Sequence, residues 1–323
     1  MNSELNPFEA PAEKAPNDTV TPSGVPIELA NPVTQPPKAR LWTVLVTMLV
    51  ATGAYVVASV VSVVLMTMLY IFSNDSSQMP DLEVLMSEFA TYPGALWVLV
   101  APGQFTILAV TLVATFLSPE KFTKRLTLQT PKWPIWVTIA ASFAAPLVSL
   151  IWSIPLSMVV QTSQHLEFMV TLFKNAGQGI GIVSLFLCVS ILPAISEEWL
   201  FRGYIQSRLL KRWHPALAIG VSSLLFAGFH MDPVHVVAVI PLGLWLGVIT
   251  YYSGSIYPAM LAHAYNNAIS IIATVYLGSE TLNSSFASIE NIVILGIGLP
   301  GLIVTMFWLV TRGKAEPETT IAA

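Results

Sequence analysis

Eight stretches of the chain carry almost no charge, and each approaches the length needed to cross a hydrocarbon layer: 42–72, 95–117, 134–160, 179–200, 215–231, 235–252, 255–277 and 291–311. A lipid core about 30 Å thick takes about 20 apolar helical residues to cross. Lipid offers the backbone no hydrogen-bond partner, and a helix satisfies its own. Only 10% of the residues are charged and 54% are hydrophobic, with a mean hydropathy of +0.71. A soluble domain has about 25% charged residues. The expected fold is all-α: a polytopic membrane protein, a bundle of about eight transmembrane helices with an intramembrane polar cavity.

The rest of the chain is read against those spans. Residues 1–40 are polar and rich in proline, from Pro7 to Pro37. They cannot bury enough surface to offset their ordering entropy, so a disordered Pro-rich tail is expected there. The remaining divisions are N-terminal transmembrane helices over 41–178, a core over 179–277, and a last helix with a short tail over 278–323. The third span contains Pro146 and Pro155, which predict kinks. The fifth and sixth are short and separated only by 231–234, so 215–252 either crosses twice or re-enters.

Basic residues follow alternate spans. Lys121, Lys124, Arg125 and Lys132 follow the second, Arg208, Lys211 and Arg212 the fourth, and Arg312 and Lys314 the last. Loops 73–94 and 278–290 contain none, and 161–178 only Lys174. The positive-inside rule then puts both termini in the cytoplasm, and the expectation is a multi-pass protein of a bacterial cell membrane. A net charge of −4 argues against a nucleic-acid partner. Cys188 is the single cysteine and sits inside an apolar span, where it reads as a small filler. No internal repeat is apparent, which weakens a transporter built on duplicated halves.

Three polar groups interrupt the apolar runs. Counted inward from Lys211, Glu197 lies about 21 Å along its helix; counted from Pro215, His230 lies about 22 Å in; counted from Tyr251, His263 lies about 18 Å in. Ionisable residues at a shared depth are expensive and point to function, with a buried ion network as the bland alternative. Glu198 and Arg202 are i, i+4 and can pair on one face, which leaves Glu197 without a partner on its own helix. Pro193 should kink that helix and help open a wet pocket. Phe226 and His230 are one turn apart, and so are His263 and Asn267. Asn266 is offset around the helix and expected to pack locally, while Asp232 and His235 are placed in the outer turn.

Glu197 and His230 can hold and deprotonate a water that attacks a peptide carbonyl. The N–H groups of His263 and Asn267 suit the charge that develops on the carbonyl oxygen. No Gly-x-Ser-x-Gly elbow competes, and Cys188 has no evident base.

The ordered trio Glu-Glu-x-x-x-Arg, Phe-x-x-x-His and His-x-x-x-Asn, over about 180–275, resembles the CAAX prenyl protease and bacteriocin-processing family, whose eukaryotic members are the Rce1-type endopeptidases. The resemblance implies that 179–277 is a catalytic core. It implies that Glu197 and His230 activate water and that His263 and Asn267 form the oxyanion site, with Glu198, Arg202 and Phe226 supporting. It implies an intramembrane endopeptidase, without a cofactor, acting near the C-terminus of a protein or peptide, prenylated or not, presented near the cytoplasmic side of the lipid bilayer. Rival readings are a zinc protease using Glu197, His230 and His263, a non-catalytic scaffold or immunity-type protein, and a proton-linked transporter. No His-Glu-x-x-His helix supports the zinc reading.

Overall fold

The computed structural model describes residues 40–73, 81–89, 92, 94–161, 163–277 and 289–312. The expected tail at 1–40 lies outside them except for Arg40, as do residues 313–323. The described residues are helical, with no strand. Six helices are long and apolar enough to cross a membrane: α1 (Trp42–Ser73), α2 (Ala95–Phe116), α3 (Ile135–Ser157), α4 (Gly181–Leu210), α6 (Pro233–Ser253) and the last, α8 (Ile289–Arg312). Two shorter helices complete the eight expected segments: α5 (Pro215–Gly228) and α7 (Tyr257–Ile272), the latter prolonged by a π-helical turn to Leu277. The protein is a multi-pass integral membrane protein.

Local chemistry sets the boundaries around the core. Pro215 opens α5, preceded by His214, whose Nδ1 accepts from the Ala216 amide. The turn after Gly228 passes through Met231 at φ 57°, and Asp232 then caps α6 by accepting from the His235 amide at 2.8 Å. Gly254 closes α6 at φ 66°, where a side chain would be strained. Between these turns Gly243 and Gly247 face Ser223, Phe226 and Ile219, so α6 returns antiparallel to α5. Arg202 and Gln206 donate to the Gly243 and Gly247 carbonyls, one turn apart on both helices, so α6 lies parallel to α4. The segment thus goes back and forth beside α4, although α5 is only about 21 Å long.

Helix α4 is not a regular α-helix. It is π-helical over Phe186–Ile191 and again over Trp199–Gln206, with α-helix between them. Pro193 has no N–H for the Val189 carbonyl one turn earlier, and that carbonyl accepts from Asn267 Nδ2 of α7 at 3.0 Å. The two distorted stretches flank Glu197 and Glu198, and π-helical turns are frequent at functional sites.

Small residues bring the remaining helices together. A Cβ on Gly301 would stand 2.6 Å from the Ala140 carbonyl, and one on Gly298 would stand 2.6 Å from Leu147 Cβ, so α8 crosses α3 backbone to backbone. Tyr55 of α1 lies against Gly103 of α2. The segment 161–178, read as a loop, contains a helix, Gln164–Ala176, capped by Ser163. Its residues Leu166, Met169, Val170 and Phe173 recur at helical spacing and line the cavity described next.

Candidate active site

A cavity of about 430 Å³ opens between α1, α2, α3, α4, α5, α6 and α7. Glu197, His230, His263 and Asn267 all line it, so the four residues singled out by sequence come to one hollow. Phe226 also lines it. Glu198 and Arg202 lie behind its wall, both fully buried.

Glu198 Oε1 accepts from Arg202 Nη1 at 2.9 Å, the i, i+4 pair expected. The same oxygen accepts from His263 Nδ1, also at 2.9 Å. Arg202 Nη2 donates to the Gly243 carbonyl at 3.0 Å, and its guanidinium lies 4.4 Å from the centre of the Phe226 ring. A buried guanidinium therefore has a carboxylate, a carbonyl and a π-face. Phe226 meets His230 and His263 edge-on at 5.2 and 5.7 Å, which makes it a common wall for both imidazoles.

A carboxylate only accepts, so His263 donates from Nδ1 and turns Nε2 toward Glu197, whose Oε2 is 3.9 Å away. That is too long for a hydrogen bond, but groups so spaced can share one oxygen atom between them. His230 Nδ1 lies 3.1 Å from the Phe226 carbonyl and must donate to it. In the neutral ring Nε2 then carries the lone pair, the form a general base needs.

Two placements differ from the sequence expectation. Asn266 was expected to pack locally; it lines the cavity and accepts from Ser149 Oγ of α3 at 3.0 Å. His235 was placed in the outer turn; it lines the cavity with its ring centre 4.5 Å from that of His230. Asp232 does stand in that turn, as the cap of α6. Asn267 is held on both sides: one N–H goes to Val189, and Oδ1 accepts from Asn266 Nδ2 at 3.2 Å. Its second N–H is not engaged by any described residue.

Sequence reasoning missed Gln104. Its Nε2 donates to Glu197 Oε1 at 3.0 Å, and its Oε1 accepts from Ser196 Oγ at 2.5 Å. The available signal was slight: a single carboxamide in an otherwise apolar span.

Residues 179–269 match the family model described as type II CAAX prenyl endopeptidase Rce1-like. This segment is similar to that family. It contains all three motifs and ends two residues beyond Asn267. No curated protein and no solved structure matches the chain. The Rce1-like match supports a CAAX-type intramembrane protease, and the helices before residue 179 fall outside it. Among the described residues no three His, Cys, Asp or Glu side chains are grouped to hold a metal ion.

Proposed function

We propose that the chain is an intramembrane endopeptidase that hydrolyses a peptide bond near the C-terminus of a protein or peptide, prenylated or not, through water activated by Glu197 and His230. The observation that carries this reading is the shared cavity. An acid from α4, an imidazole from the turn after α5, and an imidazole and a carboxamide from α7 line one cavity of about 430 Å³. Charges buried among helices need partners, and Glu198 with Arg202 has them. Glu197 faces the cavity instead.

In this mechanism water sits between Glu197 and His230. Glu197 takes its proton as the oxygen attacks the carbonyl carbon, and the proton passes to the leaving amine when the C–N bond breaks. His263 and the second N–H of Asn267 face the developing oxyanion. With Nδ1 committed to Glu198, His263 donates from Nε2 only as an imidazolium. No metal is required, so cleavage should survive a strong chelator; complete loss that zinc restores would favour the zinc reading.

Comparing membrane-protein termini in cells with wild-type and Glu197→Ala chains tests the function. New C-termini present only with the wild type are expected. Identical termini in both would leave the scaffold reading standing.

A further inference from the structure

We propose that Gln104, which lies outside the Rce1-like segment, is a positioning residue that aims the Glu197 carboxylate. The proposal rests on the hydrolase reading above and extends its machinery to the N-terminal helices.

Gln104 is 7% exposed and belongs to the stripe Gln104, Ile107, Thr111 and Thr115 that α2 buries. Its side chain meets two consecutive residues of α4. The Glu197 carboxylate only accepts, so Nε2 turns toward it and Oε1 toward Ser196 Oγ, which also lies 2.9 Å from the Leu192 carbonyl. Glu197 Oε1 is thereby occupied, and Oε2 is the oxygen turned toward His263. A carboxylate held by one oxygen presents the other in a fixed direction, which a general base requires. No other described side chain is hydrogen-bonded to Glu197. A glutamine that only satisfied its own polarity would not need adjacent residues of one helix on its two ends, one of them the acid facing the cavity.

The test uses the full chain in nanodiscs. The probe is an internally quenched peptide ending in a farnesylated cysteine, two aliphatic residues and a variable last residue. Gln104→Leu should lower kcat by 10- to 100-fold, the effect of one hydrogen bond to a charged group, and leave KM within twofold. Ser196 acts through Gln104, so Ser196→Ala should cost less, and the double variant should be no slower than Gln104→Leu alone. A hydrophobic carbodiimide, which reacts with protonated carboxyls, should label Glu197 at pH 7 at least threefold faster in Gln104→Leu.

Raised KM with unchanged kcat, additive losses in the double variant, or unchanged labelling would each overturn the assignment. If Gln104→Leu does not fold, Gln104→Met and Gln104→Asn carry the same comparison. A wild type that leaves the peptide uncut defeats the reading for prenylated substrates, and the labelling still decides the role of Gln104.

Discussion

The i, i+4 spacing of Glu198 and Arg202 announces their pair in the sequence, and the two side chains meet at 2.9 Å. Their burial makes the pair sensitive to loss of one partner. Glu198→Gln removes a charge facing both Arg202 and His263, and is expected to destabilise by about 3 kcal/mol. Thermal unfolding in detergent measures this, and adding Arg202→Leu should recover part of the loss. An unchanged melting temperature in the single variant would mean the pair contributes nothing. Asn267→Ala should cost about 1–3 kcal/mol as well as activity, because the Val189 carbonyl loses its donor beside Pro193. Gln104 was not legible for a simple reason: its partners lie 92 and 93 residues away, and no local spacing records such a contact. His235 was misplaced because sequence gives the position of a turn but not the direction its side chains take.

Among elements, hydrophobic runs were readable and amphipathic ones were not. The helix Gln164–Ala176 is too polar to resemble a span, and its four cavity-lining residues are apolar only on one side. Counting at a 3.6-residue period would have separated it from a loop. The π-helical turns of α4 left no trace beyond Pro193, since they depend on what α7 offers in return. The crossing of α3 and α8 yields a sharper expectation. Gly301→Val places a branched side chain against the Ala140 backbone and should cost about 1–3 kcal/mol. Gly296→Ala on the same helix meets nothing within 4 Å and should be neutral or stabilising by up to about 1 kcal/mol. Equal melting temperatures for the two variants would contradict the close crossing.

For the whole molecule, the abundance of uncharged spans made the membrane class and the all-helical fold readable, and the ordered motifs pointed to one cavity. The cluster at the end of α4 adds a pH dependence. Glu120 pairs with Arg125 and Lys211. Burial alone would raise its carboxyl, but hydrogen bonds and charge from Lys211 and Arg125 outweigh that and hold it below its usual 4.5. A lowered carboxyl stabilises the fold above its unfolded value, and that stability goes as pH falls through the folded value. Wild type should therefore melt above Glu120→Gln at pH 7, and the difference should vanish on the acid side of 4.5. A difference that persists unchanged into acid would mean the ion pairs are not its source.

The central claim is that Glu197 works as a base in a cavity shared with His230 and His263, and cleavage by the purified protein tests it most directly. Wild type and Glu197→Ala are reconstituted side by side and given the farnesylated quenched peptide, with folding checked by thermal unfolding. The expected result is a folded Glu197→Ala protein whose cleavage is at least about 1,000-fold slower, since a general base is lost and the attacking water also loses its anchor. Cleavage within tenfold of wild type would contradict the account.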